Sequence, residues 1–115
     1  MHELGLVQSI LDIAEAYARR EGARAIREIG LKVGALSGVE KAALEFAFEA
    51  TKKGTLAEQA RLAVQWVPLV AFCEECEVEF EVESPFGIAQ CPVCNEAIAT
   101  LERGQELEVD YLEVV

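Results

Sequence analysis

Two pairs of cysteines constrain this chain more than any other feature. Cys73 and Cys76 form one C-x2-C, Cys91 and Cys94 a second, and fourteen residues separate the pairs. A C-x2-C turn aims both sulfurs at one point, and two such turns on a hairpin supply four thiolates to a tetrahedral ion at Zn–S distances of about 2.3 Å. The intervening segment has that form. Val78, Phe80 and Val82 alternate with Glu77, Glu79, Glu81 and Glu83 at strand period. Ser84-Pro85-Phe86-Gly87 supplies a turn, and Asn95, directly after the second pair, suits a left-handed backbone.

Four unrelated buried thiols would not fall into this spacing, and disulfides are disfavoured in the cytoplasm, where this chain is expected. Zinc is preferred to iron because the pattern is a compact hairpin with no accompanying redox site. A rubredoxin-like iron uses the same thiolates and stays open. Filling all four positions with sulfur leaves none for water or substrate, so the site reads as structural, contributing on the order of 10 kcal/mol to folding of its segment.

Charge excludes several classes. Residues 1–61 hold nine basic and nine acidic side chains, whereas residues 62–115 hold twelve acids against Arg103 alone, so the net charge of −11 lies wholly in the second half. Such a field repels nucleic acid and anionic lipid and favours cations and basic protein partners. A partner surface meeting the acids at Glu77, Glu79 and Glu81 is the sharper reading; a solvated acidic face is the plainer one. No apolar run reaches the ~18 residues of a membrane span. The opening Met-His-Glu-Leu-Gly-Leu has no basic n-region, so a cytoplasmic location is expected.

The remainder reads as α+β. Leu6, Ile10, Ile13, Ala14 and Tyr17, widened by Val7, Leu11 and Ala18, predict a helix over 4–21, closed by Arg19, Arg20 and Gly22. Ile29, Leu31 and Val33 alternate with Glu28, Gly30 and Lys32 in a strand over 25–34. Ser37-Gly38-Val39-Glu40 resembles a capping box opening a helix over about 38–52, with Val39, Ala43, Phe46, Ala47 and Ala50 inward. Leu62, Val64 and Trp66 predict a further strand, and Leu107, Val109 and Tyr111 a last one. The expected architecture is two helices packed on a small sheet of about three strands, with an inserted zinc-ribbon-like module. The domains are then 1–71 plus 104–115, and 72–103. Phosphate-binding glycine motifs are absent from the sequence, and an enzyme is not expected.

His2 is the only histidine. Methionine before a bulky residue is normally retained, so the free amine would be that of Met1. That amine, the amide and ring nitrogens of His2, and the amide of Glu3 can chelate one ion in a plane. Such a set suits nickel(II) or copper(II), while zinc prefers a tetrahedron. Protons compete for every nitrogen, so binding falls with falling pH.

Met1-His2-Glu3-Leu4, the following helix, Cys73-x2-Cys76, Cys91-Pro92-x-Cys94 and Gly104-Gln105-Glu106-Leu107-x-Val109-x-x-Leu112-Glu113-Val114 together resemble the HypA/HybF family of hydrogenase nickel-incorporation proteins, along essentially the whole chain. The resemblance implies a non-enzymatic nickel metallochaperone for [NiFe] hydrogenase maturation, in some organisms also serving urease. It implies a HypB-type GTPase and the hydrogenase large subunit as partners. Nickel would be held by Met1, His2 and Glu3, and zinc by Cys73, Cys76, Cys91 and Cys94. Some members place histidines beside the zinc cysteines; this sequence has none there. The chain would be a monomer or homodimer. A zinc-ribbon interaction adaptor without metal transport is the alternative.

Overall fold

The computed structural model describes residues 3–83 and 88–115. Met1, His2 and the expected turn at residues 84–87 lie outside the described residues. The elements are α1 (Glu3–Arg20), β1 (Ile26–Gly34), a short 3-10 turn (Ala35–Ser37), α2 (Lys41–Thr51), β2 (Arg61–Val67), β3 (Val70–Cys73), β4 (Val78–Glu81), β5 (Leu101–Arg103) and β6 (Leu107–Val114). The class is α+β, as expected. The strands make two three-stranded sheets, ordered β2-β1-β6 and β4-β3-β5.

The chain divides into two compact units. One comprises Met1–Lys32, Val39–Gln65 and Glu108–Val115; the other comprises Val33–Gly38 and Trp66–Leu107. The second is wider than the 72–103 read from the cysteines. Its backbone explains the extra residues. Leu36 N–H donates to the Gly104 carbonyl at 2.8 Å and Gly34 N–H to that of Glu106 at 2.7 Å. A Cβ on Gly34 would lie 2.1 Å from the Gly104 oxygen, and one on Gly104 2.4 Å from Leu69 Cα. Only chains lacking a side chain at both points can approach this closely.

In the first unit, α1 and α2 pack on each other. Val7, Ile10, Leu11, Ala14 and Ala18 of α1 are buried, with Leu44, Ala47 and Phe48 of α2 and Ile26, Ile29 and Leu31 of β1. α1 ends as its sequence predicts. Gly22 takes φ +69°, Ala23 N–H reaches the Ala18 carbonyl and Gly22 N–H that of Arg19, which satisfies the last carbonyls of the helix.

Four expectations are corrected here. Ile13 and Tyr17 lie toward solvent, on the rim of the α1 stripe. In α2, Phe46 is 77% exposed while Leu44 and Phe48 point inward. The capping box does not form. Gly38 at φ +73° is left-handed and stops any helix from running through 38–40. Ser37 instead donates its hydroxyl to the Gly34 carbonyl at 2.7 Å. Glu40 is itself the N-cap, its carboxylate accepting from Ala42 N–H at 3.2 Å and Ala43 N–H at 2.7 Å. The helix therefore starts three residues later, at Lys41, and its inward face is rotated.

The fourth correction concerns β1, whose alternation places Glu28 and Gly30 opposite the apolar face of Ile29, Leu31 and Val33. Both are buried. The Tyr111 ring occupies the place of the missing Gly30 side chain. The Tyr111 hydroxyl donates to Glu28 Oε2 at 2.5 Å, and Arg61 Nε donates to Oε1 at 2.6 Å. One residue from each strand of the sheet thus closes over the carboxylate. The Tyr111 hydrogen bond, then Arg61, hold Glu28 below the usual glutamate range.

Candidate metal centre

The two C-x2-C segments fold as the same turn. Glu77, after the first pair, has φ +55°, and its N–H donates to the Cys73 carbonyl at 2.8 Å. Asn95, after the second pair, has φ +63°, and its N–H donates to the Cys91 carbonyl at 2.8 Å. Each turn folds its two sulfurs to one side. The first turn is carried by β3, which ends at Cys73 and pairs antiparallel with β4 through Cys73↔Val78. The second is closed by Cys91 N–H to Glu96 O at 2.9 Å, Ile98 N–H to Ala89 O at 2.7 Å and a bridge between Gln90 and Ala97. The left-handed Asn95 follows from its residue type. Glu77 does not: only its place in the repeated turn reveals it.

All four Sγ atoms lie within 4.8 Å of one another, and Cys73 Sγ is 3.8 Å from Cys94 Sγ. A tetrahedron with Zn–S bonds of about 2.3 Å has edges of about 3.8 Å, so the four sulfurs fit one tetrahedral ion. Cys73 and Cys91 are buried, Cys76 and Cys94 half-buried. Burial, reinforced by hydrogen bonds with Cys94, Cys73 and Cys91, pushes the Cys76 thiol up to about 12. The backbone N–H of Cys94, then that of Val93, brings Cys91 down to about 7. Four sulfurs this close cannot all carry negative charge unless a cation shares them, which is what a divalent metal supplies. Glu74, Glu75, Glu77, Glu79, Glu81 and Glu83 are all exposed around this sheet. Arg103, the lone base of the second half, bonds Glu79 through Nη2 at 3.1 Å.

Of the expected nickel residues, Met1 and His2 lie outside the described residues. Glu3 is the first residue of α1. Its carboxylate reaches α2, where Oε2 accepts the Glu40 N–H at 3.0 Å. Among the described residues no helix is long and apolar enough to cross a membrane.

Fold and site define a small two-unit α+β protein with a four-cysteine centre compatible with a structural metal such as zinc. Residues 1–114 match the family model described as "Hydrogenase/urease nickel incorporation, metallochaperone, hypA". The chain is 39% identical to the hydrogenase maturation factor HypA of Picosynechococcus over 115 residues, covering all of both chains. It is 42% identical to that of Syntrophus aciditrophicus over 114 residues, 99% of this chain and 97% of the other. The solution structure of the nickel metallochaperone HypA from Helicobacter pylori shares its fold, with TM-score 0.67 at 24% identity over 100% of this chain and 98% of that one. A second HypA solution structure gives TM-score 0.70 at 22% identity, covering 100% and 97%. The chain belongs to the HypA family of hydrogenase maturation factors and nickel metallochaperones.

Proposed function

We propose that this chain carries nickel(II) on its first three residues and delivers it during maturation of [NiFe] hydrogenase, with urease a second destination. It acts in the cytoplasm as a carrier and not as a catalyst, alongside a HypB-type GTPase and the hydrogenase large subunit. The observation that supports this reading most is the family match over residues 1–114, which includes the Met1-His2-Glu3 start.

The chemistry of the two donor sets supports a division of labour. The nickel set is the Met1 amine, the His2 amide and ring nitrogens, and the Glu3 amide, which favour square-planar geometry. The Glu3 amide belongs to the first turn of α1, where N–H groups stand outside the i→i−4 ladder, so ligation there breaks no bond of that ladder. A partner could take the ion without unfolding the core. Zinc is held by Cys73, Cys76, Cys91 and Cys94 and stays in place, organising residues 72–103. The exposed acids of that module offer a surface to a basic partner.

Calorimetric titration of nickel into zinc-loaded protein tests the reading, using a tag-free N-terminus verified by mass. One site in the wild type, lost in His2→Ala, is expected. Equal binding by both proteins would move nickel away from the terminus. No binding by either would leave the adaptor reading in its place.

A further inference from the structure

We infer that the Glu3 carboxylate is a positioning group for the terminal nickel site, fixing Glu3, the residue that supplies one of the proposed donors, against the start of α2. The inference rests on the reading proposed above and adds a role for a side chain that supplies nickel no donor atom. Glu3 joins two things. Its amide is the innermost of the proposed nickel donors, and its Oε2 accepts the N–H of Glu40, thirty-seven residues away in sequence, at 3.0 Å. That donor is itself held in place. Glu40 caps α2, with both carboxylate oxygens engaged by Ala42 and Ala43 N–H.

The chelate is built from consecutive backbone atoms. Of its donors, the Glu3 amide is the one that belongs to a described element, α1. Glu3 itself is held by α1 through its backbone and by Glu40 through its carboxylate. A donor residue already held in place loses less freedom when nickel binds, and the ion is released more slowly. The competing role for Glu3 is only to favour the positive end of α1, as any acid in a first turn does. That role asks for negative charge and needs no contact with residue 40. The tether asks for an acceptor oxygen of the right reach, which glutamine also provides.

The test compares wild type with Glu3→Ala, Glu3→Gln and His2→Ala, all tag-free and zinc-loaded. The readouts are nickel release to a chelator, the visible nickel band and the helical melting curve. Glu3→Ala should release nickel about threefold to tenfold faster, the loss expected for one such hydrogen bond. The band position should be unchanged, because every nickel donor remains. Glu3→Gln should stay within about twofold of wild type. Wild-type release from Glu3→Ala, with His2→Ala inactive, would overturn the inference while leaving the nickel site in place. Faster release that glutamine fails to restore, accompanied by a lower melting midpoint, would assign Glu3 to helix stability and overturn it too. Unchanged binding by His2→Ala would remove the terminal site itself, and this inference with it.

Discussion

The two units of this molecule are held together by different means. The first has a continuous apolar core of Val7, Ile10, Leu11, Ala14, Leu44 and Phe48. In the second, the buried side chains include Leu69, Val70, Ala71 and the two thiols Cys73 and Cys91, on strands of only three and four residues. Few apolar groups and short ladders offset little of the chain entropy of the unit's forty-eight residues. The deficit falls to the four-cysteine centre. A region that depends on its metal cannot release it in service, whereas a region with its own core does not need a metal to stay folded. This contrast is what the proposed division between a held zinc and a carried nickel requires.

The largest effect should come from the cysteines. Cys91→Ser removes a ligand from the centre, and the metal's contribution of roughly 10 kcal/mol to folding is largely lost. Amide signals of β3, β4 and β5 should collapse to unfolded positions while those of α1 and α2 persist. Loss of both sets together would show that the first unit also depends on the metal. Phe48→Ala tests the other side. It empties a buried site in the first unit and should cost about 3–5 kcal/mol in denaturant unfolding, with zinc content unchanged. Gly104→Ala comes next. Its φ of +109° and the 2.4 Å approach to Leu69 Cα leave no room for a methyl group, and a loss of at least about 1–3 kcal/mol is expected.

A pH effect is expected in the first unit. Glu28 has its carboxyl lowered from the ordinary 4.5, chiefly by Tyr111. The unfolded chain therefore binds the proton first. The stabilising contribution is complete above the unfolded value and fades as pH falls through the lower native one. Glu28→Gln should flatten that acid limb; an unaltered acid limb would remove Glu28 from it. The smallest effect should be Phe46→Ser. At 77% exposure, the change should stay within about 0.5 kcal/mol.

How much the sequence reveals differs between the regions too. The metal centre is legible because ligand spacing is local: C-x2-C and a residue fit for a left-handed turn lie within five positions. Of the second sheet, β4 is legible from the alternation over residues 77–83, whereas β3 and β5, of four and three residues, carry too little alternation to declare a period. In the first unit the helices and the three strands are legible from periodicity. The α2 face is not, because Phe46 and Phe48 both fit an apolar stripe and Ser37-x-x-Glu40 imitates a cap that Gly38 forbids. Glu28 looked outward by alternation. Its burial depends on Arg61 and Tyr111, partners thirty-three and eighty-three residues away, and pairing at that distance leaves no trace in local pattern. The nickel reading of Met1-His2-Glu3 rests on the chelating chemistry of its residue types and on the family resemblance.

The most direct test follows both metals in one experiment. Protein with an authentic N-terminus is loaded with one zinc and one nickel, then challenged with excess chelator at neutral pH, and each metal remaining is measured over time. Nickel should leave at least about tenfold faster than zinc, with helical signal and the β3–β5 amide signals intact throughout. Zinc leaving with or before nickel would contradict the division between a held ion and a carried one.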